Sequence, residues 1–255
     1  MTTAPSRSDL ANDSHAVVIG QQRLVRLLDL FCCEGGAGTG YARAGFDVTG
    51  VDIVPRPRSP HPVMISDALE YVRAHGHEYD AIHASPPCQS YSRSFKHLAK
   101  PQPKLIDDVR DALRATGKPY VIENVVGAPL ANASDLFGNH GVELCGTMFG
   151  LRVYRHRLFE TNFPIHAPRP CDHSIKAMNP LKTEGWQRIR EEFGDEHTPE
   201  KVWRLEMGLH WMSKEGAREA VPPVFTEYIG RELLSICLTN ARYLAPPPQM
   251  PENHE

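Results

Sequence analysis

The chain has 255 residues, 41% of them hydrophobic, with a formal net charge of −3 and a pI near 6.5. That is enough for one sizeable core plus a small accessory region, and it excludes a globally basic nucleic-acid coat, so any nucleic-acid contact must use a local patch. No apolar run approaches the ~18 residues that span a bilayer, and six unevenly spaced cysteines with no CxxC pair and no signal peptide suggest reduced thiols in a cytoplasmic protein.

Residues 1–22 are polar and irregular and read as a loose tail, as do Pro-rich residues 245–255. Between them, Leu24 to Phe31 is a strand candidate, followed by the glycine-rich turn Cys32-Cys33-Glu34-Gly35-Gly36 and a helix running to Ala44. A second strand, Phe46 to Val51, ends at Asp52-Ile53, and residues 67–75, opening Asp67-Ala68, look helical. The apolar run Tyr79 to Ala84 reads as a buried strand leading into Pro86-Pro87-Cys88-Gln89. Lys104 to Thr116 is an amphipathic helix, with Leu105, Val109 and Leu113 four apart. The strand Tyr120–Ile122 then ends in Glu123-Asn124. Alternating strands and helices with short connections predict an α/β fold with a doubly wound, mostly parallel sheet. Ligands of such sheets bind beyond the carboxyl ends of the strands, where Phe31, Asp52, Cys88 and Glu123 all fall.

The character changes near residue 160. Residues 150–190 hold eight Lys or Arg against three Asp or Glu, a local +5 in a chain of net −3. A helix is expected again over Val224–Leu238. The expected organisation is a catalytic and cofactor-binding domain over 23–160, a small basic recognition region over 161–221, and a helix over 222–244 that returns to the catalytic domain.

A thiol at a strand exit, between prolines and polar turn residues, suits a nucleophile better than a packing role, although a lone cysteine is more often a buried hydrophobe. Glycines in a strand-to-helix turn let backbone N–H groups approach a ligand, or simply make a tight connection. Asp52 stands where ribose hydroxyls are taken, and Asp67 where an adenine amine could be met; either could instead be a solvated loop acid. The turn lacks the full G-x-G-x-x-G spacing, which favours a nucleoside cofactor without pyrophosphate, such as S-adenosylmethionine. Cys171-Asp172-His173 suggests half of a metal site, but the sequence offers no matching second pair, so no metal is expected.

Taken together, these motifs resemble the DNA (cytosine-5) methyltransferases, over about residues 24–160 and 222–240, most nearly the compact phage or prophage type. Asp29-Leu30-Phe31 with Gly35-Gly36 looks like the first cofactor motif, Pro87-Cys88-Gln89 the nucleophile, Glu123-Asn124-Val125 the acid, and Arg155-His156-Arg157 the paired arginines. The resemblance implies a Rossmann-like fold, S-adenosylmethionine as cofactor, double-stranded DNA as partner with the target base flipped out, no obligate protein partner, and a restriction–modification setting. It implies catalytic Cys88, Glu123, Arg155 and Arg157. It also implies a cofactor site of Phe31, Cys32, Cys33, Glu34, Gly35, Gly36, Asp52, Ile53, Asp67, Ala68 and Pro86, and base contacts from Gln89, Ser92 and Asn124.

The chain departs from that pattern where Cys33 replaces a usual glycine, where Val153 replaces a glutamine, and where Tyr228-Ile229-Gly230-Arg231 stands in place of a Gly-Asn-Ser turn. The recognition segment, 158–221, is short, and its Trp186, Trp203 and Trp211 are expected to build a small core rather than contact bases. A tRNA or nucleotide acceptor, or a non-catalytic DNA-binding descendant, stays open from sequence. A folate-dependent pyrimidine methylase would leave the glycine turn, Asp52 and Asp67 unexplained.

Overall fold

The computed structural model describes residues 24–88, 105–131, 133, 135, 138–174, 187, 191–192 and 199–244. Seven strands form one sheet in the order β3-β2-β1-β4-β5-β7-β6. β1 (Arg26–Leu30), β2 (Asp47–Asp52), β3 (Val63–Ile65), β4 (Ala81–Ala84) and β5 (Tyr120–Asn124) are mutually parallel. β7 (Arg157–Thr161) runs antiparallel between β5 and β6 (His140–Leu144). The sheet is thus mostly parallel, as the sequence predicts. β3, β6 and β7 are additions to the sequence reading, being short and lacking clean alternation.

Both faces of the sheet are covered, which explains the near-continuous apolar strands. Leu27, Ala81 and Val121 pack with α1 (Gly36–Ala44) and α6 (Pro223–Leu244), whereas Leu28, Ile82 and Ile122 pack with α2 (Ala68–His75) and α3 (Ile106–Ala115). Successive strand residues point to opposite faces, so each neighbouring pair feeds both cores. α3 buries Ile106, Val109, Ala112 and Leu113, the amphipathic face seen in its sequence.

α1 and α6 cross in tight contact. A Cβ at Gly40 would sit 2.1 Å from the Pro223 carbonyl oxygen and from Thr226 Oγ1, and one at Gly230 would sit 2.8 Å from the Ala44 Cβ. Gly230 is therefore explained by helix packing; it forms no turn, since α6 runs unbroken through it. A third, smaller core of Val153, Met207, Leu209, Met212, Ala217 and Ala220 lies under α4 (Pro199–Glu206) and α5 (Lys214–Glu219), with Trp203 and Trp211 packed against it. These two tryptophans build core, as expected; Trp186 lies outside the described residues. No helix among the described residues is long and apolar enough to cross a membrane.

Candidate active site

Strand register assembles the site. Leu30 pairs with Val51 on one side and Ala84 on the other, and Ala84 pairs with Ile122. The next residues, Asp52, Phe31, Ser85 and Glu123, therefore emerge side by side at the carboxyl edge. Cys88 follows three residues after Ser85, half-buried. β7 is antiparallel to β5, so its first residue, Arg157, starts at this same edge, and Arg157 Nε lies 2.8 Å from Glu123 Oε1.

Burial pushes the Glu123 carboxyl above its ordinary range, while Arg157, Arg155 and a hydrogen bond donated by Ser85 pull it back. Burial likewise raises the Cys88 thiol, and Arg157 is the strongest influence lowering it. Arg157 thus couples electrostatically to both groups. Behind Ser85 runs a buried chain. Tyr41 Oη lies 3.0 Å from His83 Nδ1, and His83 Nε2 lies 2.8 Å from Ser85 Oγ. Burial lowers the His83 pKa to about 3. His83 is therefore neutral: it accepts from Tyr41 and donates to Ser85, which donates to Glu123. The sequence reading missed His83 and Ser85; a polar residue within a fully buried strand is the signal that could have found them.

Beside this group opens a cleft lined by Asp29, Phe31, Cys32, Cys33, Gly36 and Ser85 on one side, and by Met212, Glu219 and Ala220 from the far wall. Asp29 is buried, neither of its carboxylate oxygens has a hydrogen-bond partner, and burial raises its pKa to about 7. Phe31 and Cys33 both hold positive φ, 58° and 48°. The Cys33 backbone thus adopts the left-handed conformation that glycine takes freely, at a cost of about 1–2 kcal/mol for an L-residue. The Cys33 N–H donates to Asp52 Oδ2 (3.0 Å) and Val54 N–H to Oδ1 (3.1 Å), while Arg56 Nε ion-pairs with Oδ2 at 3.0 Å. Asp52 thereby holds the turn in place.

Several expected ligand residues have other duties. Glu34 is a strut: its carboxylate accepts from Ser213 N–H (2.6 Å) and Oγ (2.7 Å), and its carbonyl accepts from Trp211 Nε1 (2.9 Å). Asp67 caps α2, Oδ1 accepting from the Leu69 and Glu70 amides, which commits that oxygen away from any adenine amine. Ala68 is core, and the Cys32 thiol packs where a Gly50 Cβ would lie 2.7 Å from it. Asn124 is buried and donates to the Pro86 carbonyl (2.9 Å), so it fastens the Cys88 loop to β5. Arg155 donates to the Ala220 (2.9 Å) and Arg218 (2.6 Å) carbonyls, clamping the far wall of the cleft. Gly35 holds φ 80° as the N-cap of α1, and Ile53 is exposed beyond β2. Gln89 and Ser92 lie outside the described residues. Glu219 and Met212 were invisible in sequence because they reach the cleft from a segment distant in the chain.

The described arginines of the basic segment are engaged. Arg152 pairs with Glu192 and Glu206, and Arg169 donates to the Met148 and Thr147 carbonyls.

No family model matches the chain. Over 212 residues it is 26% identical to the Type II methyltransferase M.AquIA of Picosynechococcus sp., covering 62% of this chain and 85% of that protein. Among solved structures it aligns with S. pombe Dnmt2 methyltransferase (TM-score 0.55, 13% identity) over 84% of this chain and 99% of that one. It aligns over the same shares with an E. coli prophage-encoded protein described as a DNA modification methyltransferase (TM-score 0.52, 14% identity). The chain has the Rossmann-like methyltransferase fold and, in motif order and strand arrangement, resembles the DNA (cytosine-5) methyltransferases.

Proposed function

We propose that the protein is an S-adenosylmethionine-dependent methyltransferase acting on C5 of cytosine in double-stranded DNA. The observation that carries this reading is the half-buried Cys88 at the end of β4, beside a buried Glu123 already paired with Arg157 on the neighbouring strands. Cytosine C5 is a poor nucleophile. Thiolate addition at C6 turns the ring into an enamine, with charge developing at N3. Glu123, held towards its protonated form by burial, supplies a proton or hydrogen bond at N3 as Cys88 adds. Arg157 steadies the Cys88 thiolate before addition. The Tyr41–His83–Ser85 chain orients the carboxyl. Once C5 has accepted the methyl group, loss of the C5 proton and departure of the Cys88 sulfur restore the ring, and the N3 proton returns to Glu123. The ring must leave the duplex for this chemistry, because a stacked base shields C6 and C5.

The cleft suits the cofactor. Asp29, buried without a hydrogen-bond partner, and Glu219 give it acidic lining, which complements a sulfonium and an ammonium group. Phe31, Cys33 and Gly36 would line the nucleoside side. When bound there, S-adenosylmethionine supplies the electrophilic methyl group. Residues 161–221 form the small recognition region, whose size suits a short target sequence. Phosphate contacts there fall to Lys176, Lys182, Arg188 and Arg190, since Arg169, Arg204 and Lys214 already serve carbonyl or carboxylate partners.

The test is transfer of labelled methyl to cytosine-containing duplex DNA, with tRNA and dCMP as parallel acceptors. Wild type labels the duplex and is trapped covalently by fluorocytosine DNA. Cys88→Ser does neither; full activity in that variant overturns the mechanism, and labelling of tRNA or dCMP alone overturns the substrate.

A further inference from the structure

Cys171-Asp172-His173 has no second ligand pair in the sequence, but the fold provides one. The β6–β7 ladder ends at the pair Leu144 and Arg157. The next residue on each side, Cys145 after β6 and His156 before β7, therefore emerge together. The segment beyond β7 returns over this corner and adds Cys171 and His173. The ligand atoms of all four lie within 4.8 Å of one another.

We infer that Cys145, His156, Cys171 and His173 form a structural metal site of the Cys2His2 type, selective for zinc. Tetrahedral zinc, with Zn–S of about 2.3 Å and Zn–N of about 2.0–2.1 Å, requires S···N separations of about 3.6 Å and N···N of about 3.3 Å. Cys145 Sγ lies 3.6 Å from His173 Nε2, and His156 Nε2 lies 3.0 Å from His173 Nε2. The immediate surroundings are built for a cation. His156 Nδ1 hydrogen-bonds the Glu143 carboxylate, leaving the Nε2 lone pair directed at the cluster. His173 Nε2 faces both that lone pair and the Cys145 sulfur, and one ring hydrogen cannot serve the two well. A cation satisfies all three atoms.

The fourth side is fixed as firmly. Tyr154 stacks on the His173 ring at 4.5 Å and donates from its hydroxyl to the His173 carbonyl (2.9 Å). The Asp172 amide donates to Thr147 Oγ1 (3.1 Å), which sets Asp172 apart from its two ligating neighbours. Two thiolates and two imidazoles in a closed set favour zinc over calcium or magnesium, which take oxygen ligands. With four protein ligands, the site is structural. It lashes the segment after β7 onto the sheet edge and anchors His156, which lies between Arg155 and Arg157.

The full chain, purified without chelator, is expected to contain about one zinc per molecule by elemental analysis. Replacing zinc with Co2+ should give the visible bands of a tetrahedral S2N2 centre. Cys171→Ser and His173→Ala should each lose the metal while far-UV circular dichroism confirms folding. Glu143→Gln should weaken zinc affinity 10–100-fold, as loss of a carboxylate behind a ligating histidine does. Cys171→Ser keeps the test open if the buried Cys145→Ser fails to fold. Three results would overturn the assignment: full zinc content in Cys171→Ser, no zinc and no Co2+ spectrum in folded wild type, or a Cys145–Cys171 disulfide in its place.

Discussion

Asp29 offers a direct test of the site's electrostatics through Asp29→Asn. The side chain is 1% exposed and neither oxygen has a hydrogen-bond partner of normal geometry, although the Gly38 amide draws its pKa down against burial. Burial moves the carboxyl from 3.8 to about 7, equivalent to roughly 4 kcal/mol. Because the folded-state value lies above the unfolded one, stability is fully present below pH 3.8 and is lost as pH rises to about 7. His83 acts in the opposite sense: its pKa falls from 6.5 to about 3, so it contributes stability above pH 6.5 that is lost as pH falls towards 3. The two slopes oppose each other between about pH 4 and 6.5 and flatten the wild-type curve. Asparagine keeps the shape and removes the proton. Urea denaturation of wild type and variant from pH 4 to 8 should show the variant gaining on wild type as pH rises, by up to roughly 4 kcal/mol. A stability difference that does not vary with pH would refute the reasoning.

Glu123→Gln retains the side-chain shape but cannot deliver a proton. Methyl transfer should fall about 10²- to 10⁴-fold, while denaturation shows a change within about 1–2 kcal/mol, because relief of carboxylate burial offsets the lost Arg157 pair; a rate loss below tenfold would count against its role. Arg110 Nε and Nη2 lie 2.6 and 3.0 Å from the carboxylate of Glu160, which is 1% exposed. Arg110→Ala leaves that charge buried and should cost about 3–5 kcal/mol. Thermal melts at neutral pH check this, and a loss under about 1 kcal/mol contradicts it.

Much of the sheet was legible because parallel strands buried on both faces are written as apolar runs between turns. Leu27-Leu28, Ala81-Ile82 and Val121-Ile122 each supply one residue to each core. β3, β6 and β7 escaped notice because three to five half-apolar residues carry too little periodicity. The strand-end position of Cys88 and Glu123 was also readable. Their electrostatics were not, since His83, Ser85 and Asp29 act through burial and through neighbours far along the chain.

The order of motifs in this chain was enough to predict a doubly wound sheet with Cys88 and Glu123 at strand ends, and the family resemblance adds their proposed roles as nucleophile and acid. Local chemistry decides the sheet and those positions: glycine turns, proline-flanked exits and strand periodicity all act over a few residues. The tertiary structure alone decided three other things. It brought Arg157 to Glu123, because antiparallel β7 begins where parallel β5 ends. It turned Glu34, Asn124 and Arg155 into internal fasteners, because their donors and acceptors come from segments distant in sequence. It gave Cys171 and His173 the partners Cys145 and His156, because a ladder register sets which residues emerge together at a sheet corner.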